Sequence, residues 1–134
     1  MEYLEAGNWL PFTVIQHSDF WYGNILLINA VTNSASNEFG FYIIDWGGAL
    51  LDGAPVFDLV RYCMSMGVSK KRARNEFLKY ALAIEIVPRE LAYYLVIALG
   101  KIGMNLEQFP EKRYVEMSAQ AVAYLTSLEL DVTQ

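Results

Sequence analysis

His17-Ser18-Asp19-Phe20-Trp21-Tyr22-Gly23-Asn24 stands directly after the β-branched run Thr13-Val14-Ile15 and directly before the apolar run Ile25-Leu26-Leu27-Ile28. Short apolar runs bounded by polar and turn residues read as strands, so these eight residues form a loop between two strands. They hold a histidine, an aspartate and an asparagine in the order H-x-D-x-x-x-x-N. Three fixed residue types at fixed spacing arise by chance in about 1–2% of chains this long, so the loop alone is a weak signal.

Its surroundings strengthen it. Twenty-one residues past Asn24, a second apolar run, Phe41-Tyr42-Ile43-Ile44, ends at Asp45-Trp46-Gly47. The stretch Gly53-Ala54-Pro55-Val56-Phe57-Asp58-Leu59 then opens the first helix with another aspartate. H-x-D-x-x-x-x-N is the spacing of a kinase catalytic loop, and Asp45 stands where a kinase carries its metal-binding D-F-G aspartate. The whole order resembles the second half of aminoglycoside phosphotransferase and choline-kinase-like enzymes, whose usual text is close to HGDxxxxNIL, IDW and GDPxxDLA. Here it reads HSDFWYGNILL and YIIDWGGALLDGAPVFDLV, covering roughly residues 10–65.

The resemblance implies a phosphotransferase that moves the γ-phosphoryl group of ATP to a small-molecule hydroxyl. In it Asp19 is the catalytic base that accepts or orients the proton of the acceptor hydroxyl. Asn24 and Asp45 are Mg²⁺ ligands, hard oxygens of the kind that ion prefers. His17 ties the catalytic loop to the Asp45 segment, and Asp58 accepts backbone N–H bonds from that loop. Without the neighbouring motifs, Asp58 reads as an acid at a helix N-terminus, Asn24 as a turn residue and His17 as a structural hydrogen-bonder. An Asp19–Asp45 glycosidase pair leaves the asparagine spacing and the G-x-P-x-x-D-L sequel without a role. Two features depart from the family text. Trp21 and Tyr22 bring bulky aromatics to the middle of the loop, expected beside the acceptor, and Ser18 replaces the common glycine.

Composition sets the wider frame. At 134 residues the chain has single-domain length. Fifteen acidic and ten basic residues give a net charge of −5, against a general nucleic-acid binder, which needs a basic face. A single cysteine, Cys63, permits no internal disulfide and fits a reducing, cytoplasmic setting. No run reaches the roughly 20 apolar residues of a membrane span, and the acidic start Met1-Glu2-Tyr3-Leu4-Glu5 does not read as a secretory signal.

Beyond Pro55 the spacing turns helical. Phe57 to Met64 reads as a helix closed by Gly67, and Ser69 as the N-cap of Lys70 to Ile86, with Phe77, Leu78, Ala81, Leu82 and Ile86 on one stripe. Pro88 begins a third helix that runs to about Ile102 and stops at Gly103. A fourth follows Pro110, with Tyr114, Met117, Ala121, Tyr124, Leu125 and Leu128 on a common face. Asn29 to Gly40 reads as a hairpin loop, and the methionines, Tyr93, Tyr94 and Cys63 as core. Ser69 to Arg74 puts four cations on one helix start, a solvated face or a site for an anionic partner. The expected fold class is α+β: a small antiparallel sheet carrying the catalytic loop, followed by a helical bundle, residues 1–134 forming one domain like a kinase C-terminal lobe.

No G-x-G-x-x-G loop and no V-A-I-K-like strand lysine occurs in the chain. With sixteen residues before His17, the expectation is a C-terminal lobe whose nucleotide-binding lobe is missing and whose own ATP affinity is weak or absent. A hydrophobic content of 54% fits that picture, since the face meant for the missing lobe needs a cover. A second copy, in a homodimer, is the simplest one. The competing expectation is a kinase-derived remnant without catalysis, serving as a binding or oligomerisation module.

Overall fold

Apolar residues at helical spacing after Pro55 and short strand-forming runs before it produce two structurally different halves. The computed structural model describes residues 9–29, 39–106 and 110–130. It is a mixed α+β arrangement of four helices and two small antiparallel sheets. The strands are β1 (Val14–Gln16), β2 (Ile25–Asn29), β3 (Phe39–Ile43) and β4 (Leu50–Gly53). The helices are α1 (Phe57–Ser65), α2 (Lys70–Ala83), α3 (Glu90–Met104) and α4 (Glu111–Thr126). Among the described residues, no helix is long and apolar enough to cross a membrane.

β2 and β3 pair in register from Ile25 opposite Ile43 to Asn29 opposite Phe39. Asn29, Phe39 and Gly40, expected in the connecting loop, therefore belong to strands, while the rest of that loop lies outside the described residues. β1 pairs with β4 across an irregularity, Val14 opposite Gly53 and Gln16 opposite Leu50. No expectation covered β4, because Leu50-Leu51-Asp52-Gly53 is too short to carry an alternation and Leu51 is 84% exposed. Gly53 is required there: a Cβ would fall 2.1 Å from Gln16 Cβ.

The core lies among the helices. Phe57, Val60, Phe77, Leu91, Tyr94 and Leu95 are among its most buried members. α1 closes at Gly67 as expected, with φ 59 and the two hydrogen bonds of a Schellman motif, Val68 to Cys63 and Gly67 to Met64. α2 stops at Ala83, three residues short of Ile86. The same motif closes it, but Glu85 takes the left-handed position at φ 58 and Ile86 folds back to donate to Ala81. Leu82 is 79% exposed, so the stripe narrows to Phe77 and Ala81 with Leu78 and Ile86 at its edge. Ser69 makes no side-chain capping bond.

α3 runs through Gly103 to Met104. Gly103 is there for close approach: a Cβ would lie 2.6 Å from the Tyr114 hydroxyl, which donates to the Leu99 carbonyl at 2.8 Å. The fourth helix buries Ala121 and Leu125, with Tyr114, Met117 and Tyr124 half-buried beside them, while Leu128 is buried just past the helix end rather than on its face. Burial pushes the Tyr124 hydroxyl up to about 12 and the Cys63 thiol upward as well. Tyr94 and Cys63 are core, whereas Met66 and Met104 stand on the surface at helix ends.

Candidate functional site

The site is built on a backbone that turns sharply after β1. Gln16 is fully buried; its amide oxygen accepts from the Ala54 N–H at 3.0 Å and its amide nitrogen donates to Ser18 Oγ at 3.1 Å. Ser18 then adopts φ 71, the left-handed region that favours glycine. This turn aims two consecutive N–H groups at one carboxylate. His17 N donates to Asp58 Oδ2 at 2.6 Å and Ser18 N to Oδ1 at 2.9 Å. Burial raises the Asp58 carboxyl above its ordinary value despite those two bonds. Val56, just before α1, is held at φ 85, an outlier for a β-branched residue, and it leads Asp58 into position.

His17 is buried and its Nε2 lies 2.8 Å from the Ile44 carbonyl, an acceptor, so Nε2 carries the proton. The ring packs against Trp46 at 4.7 Å, and the Trp46 indole donates to the Ile43 carbonyl at 2.9 Å. His17 thereby joins the loop after β1 to the end of β3, next to Asp45.

Asn24 closes a short 3₁₀ turn and is buried. Its amide nitrogen donates to the Asp19 backbone carbonyl at 2.9 Å and to Asp19 Oδ2 at 3.2 Å. Its backbone carbonyl accepts from Ile44 N at 3.0 Å, and Ile25 pairs with Ile43, so Asn24 and Asp45 leave the same end of the β2–β3 ladder. Asp45 takes the left-handed conformation, φ 62 and ψ 57, with its side chain exposed and bonded to no described residue. The structure thus brings Asp19, Asn24 and Asp45 to one end of the hairpin, with His17 and Asp58 beneath.

The donor set suits a hard divalent cation. With its nitrogen committed to Asp19, Asn24 keeps an uncommitted amide oxygen, and Asp45 offers a free carboxylate. Among the described residues no three His, Cys, Asp or Glu side chains gather as a metal cage. Two oxygen ligands fit Mg²⁺, which keeps waters and phosphate oxygens in its other positions.

Arg61 and Lys101 were not anticipated. Arg61 Nη2 lies 3.4 Å from Asp19 Oδ1. It stands one helical turn beyond Asp58, so the face of α1 that supports the loop also carries this guanidinium. Lys101 donates to the Asp52 carbonyl and, at 3.0 Å, to its carboxylate, whose titration it lowers from the usual range. Both cations line a cleft of about 700 Å³ beside Asp19, together with Ser18, Arg113, Glu116 and Met117. Trp21 and Tyr22, expected next to the acceptor, are not among its lining residues. Trp21 folds over Gly23 and packs edge-on against Tyr22, whose N–H donates to Ser65 Oγ. The cations Lys70, Lys71 and Arg72 are exposed on the first turn of α2. Comparison with protein-family models, with curated proteins and with solved structures found no match to this chain.

Proposed function

We propose that the chain is the C-terminal catalytic lobe of a phosphotransferase resembling the aminoglycoside phosphotransferase and choline-kinase-like enzymes. In this reading it transfers the γ-phosphoryl group of ATP to a small-molecule hydroxyl. One observation carries the reading: Asn24 is bonded to Asp19 through its nitrogen alone, leaving its oxygen free at the hairpin end that also bears Asp45. The bonds from His17 to Ile44 and from the loop to Asp58 support it, because they fix the three oxygen-bearing groups relative to one another. So does the left-handed Ser18, at the position where the family text has glycine.

In the reaction the acceptor oxygen forms a bond to Pγ while the bond from Pγ to the bridging oxygen of ADP breaks. The hydroxyl proton passes to Asp19, whose carboxylate is oriented by Asn24 and Arg61. Asn24 and Asp45 would hold Mg²⁺, which neutralises charge on the phosphate oxygens when bound. The nucleotide lobe with its phosphate-binding lysine is to be supplied from outside these 134 residues. With that lobe present, Asp19→Asn lowers kcat by about 10²–10⁴-fold with the thermal midpoint unchanged. Undiminished turnover would reject the assignment.

A second reading, a kinase-derived binding or oligomerisation module, draws on the apolar residues left exposed on both faces of the β2–β3 hairpin, Leu27 and Phe41 among them. In that case the solution mass is that of an oligomer, and Asp45→Asn leaves that mass unchanged.

A further inference from the structure

We infer that the cleft beside Asp19 takes an acceptor that carries a negative charge, a hydroxyl compound bearing a carboxylate or a phosphate. The inference rests on the phosphotransferase reading for the role of the hydroxyl, and on the cleft itself for the charge. The chain as a whole is acidic, yet three of its ten basic residues and only two of its fifteen acidic ones line this cleft: Arg61, Lys101 and Arg113 against Asp19 and Glu116. Its volume is within the range of small-molecule sites.

These cations are unequally engaged. Lys101 is held by Asp52 at the rim. Arg113, on the first turn of α4, pairs with no described residue, and Glu116 one turn on does not come within salt-bridge distance of it. Arg61 has five N–H donors and spends one, at 3.4 Å, on Asp19. Its Nε is closed off from water and has no acceptor. The remaining Nη donors of Arg61 are left for a ligand in the cleft, and an anionic oxygen satisfies a guanidinium better than a neutral one. A guanidinium fork is also the side chain best matched to carboxylate and phosphate geometry. A cationic acceptor would bring its charge against Arg113, which no carboxylate among the described residues neutralises. The hydroxyl therefore faces Asp19, and the charged end faces Arg113 and the unused donors of Arg61.

The test is a titration of the uniformly ¹⁵N-labelled chain with four small alcohols: glycerate, glycerol 3-phosphate, glycerol and choline. The expected result is that one or both anions shift the amides of Ser18, Asp19 and Ile102, whereas glycerol and choline do not. The stronger of the two anions tells carboxylate from phosphate. Arg113→Glu weakens the anion by about tenfold, and Lys71→Glu, the same charge change on the exposed start of α2, leaves it unaltered. Choline or glycerol shifting the cleft as strongly, neither anion shifting it, or equal losses in both variants would overturn the inference. Its failure is separable from failure of the phosphotransferase reading, which depends on metal at Asn24 and Asp45 rather than on anions at Arg113.

Discussion

The strand-and-loop half of the molecule buries polar side chains and exposes large apolar ones, whereas the helical half holds the enclosed apolar core. Gln16, His17 and Asn24 are inside, each hydrogen-bonded, while Leu27, Phe41 and Leu51 face outward at 81%, 63% and 84% exposure. In the helical half Phe57, Phe77 and Leu91 are fully enclosed. A polar interior is costly, most of all where a group such as His17 Nδ1 goes unpaired, so it persists where geometry matters more than burial. The helical half therefore acts as the platform, and the loop half is what the platform holds in shape.

This contrast makes the two halves break differently. The largest effect belongs to the platform: Phe77→Ala, at a site with no exposure, costs about 3–5 kcal/mol in urea unfolding. A cost under about 1 kcal/mol would mean that the helices are not the source of stability. Next comes Asp58→Ala, which strands the His17 and Ser18 N–H groups at about 1–3 kcal/mol each. Asp58→Asn keeps one acceptor and is milder. Because burial raises the Asp58 carboxyl, the folded state holds its proton more tightly than the unfolded chain does. Stability from this group is complete below the ordinary carboxyl value of 3.8 and is lost as pH rises through the raised one. Thermal midpoints measured across acid pH should show that decline in the native chain and lack it in Asp58→Asn. The smallest effect is on the exposed hairpin: Phe41→Ala changes stability by no more than about 0.5 kcal/mol. A larger loss, growing with protein concentration, would mean that a second copy covers that face.

Legibility in the sequence followed the same divide. Strands flanking the loop and the order of four helices could be read because short apolar runs and helical stripes have distinct periods. Helix ends were legible where glycine marks them, as at Gly67, and not at Glu85, where a residue with a Cβ takes the left-handed cap. Gly103 misled in the opposite sense. It serves the approach of Tyr114 rather than a helix stop, a tertiary reason invisible along the chain. In the site, His17, Asp19, Asn24, Asp45 and Asp58 form a spaced motif and could be named from it. Arg61, Lys101 and Arg113 come from three different helices and meet only when those helices pack, so no local spacing announces them.

Asn24 and Asp45 are read as one cation site beside Asp19, and paramagnetic broadening by Mn²⁺ alone tests this most directly. In the ¹⁵N-labelled chain the account predicts broadening centred on the Asn24 side-chain amide and the backbone amides of Asp45 and Trp46, abolished by Asp45→Ala. Broadening centred elsewhere, or insensitive to that substitution, would contradict it.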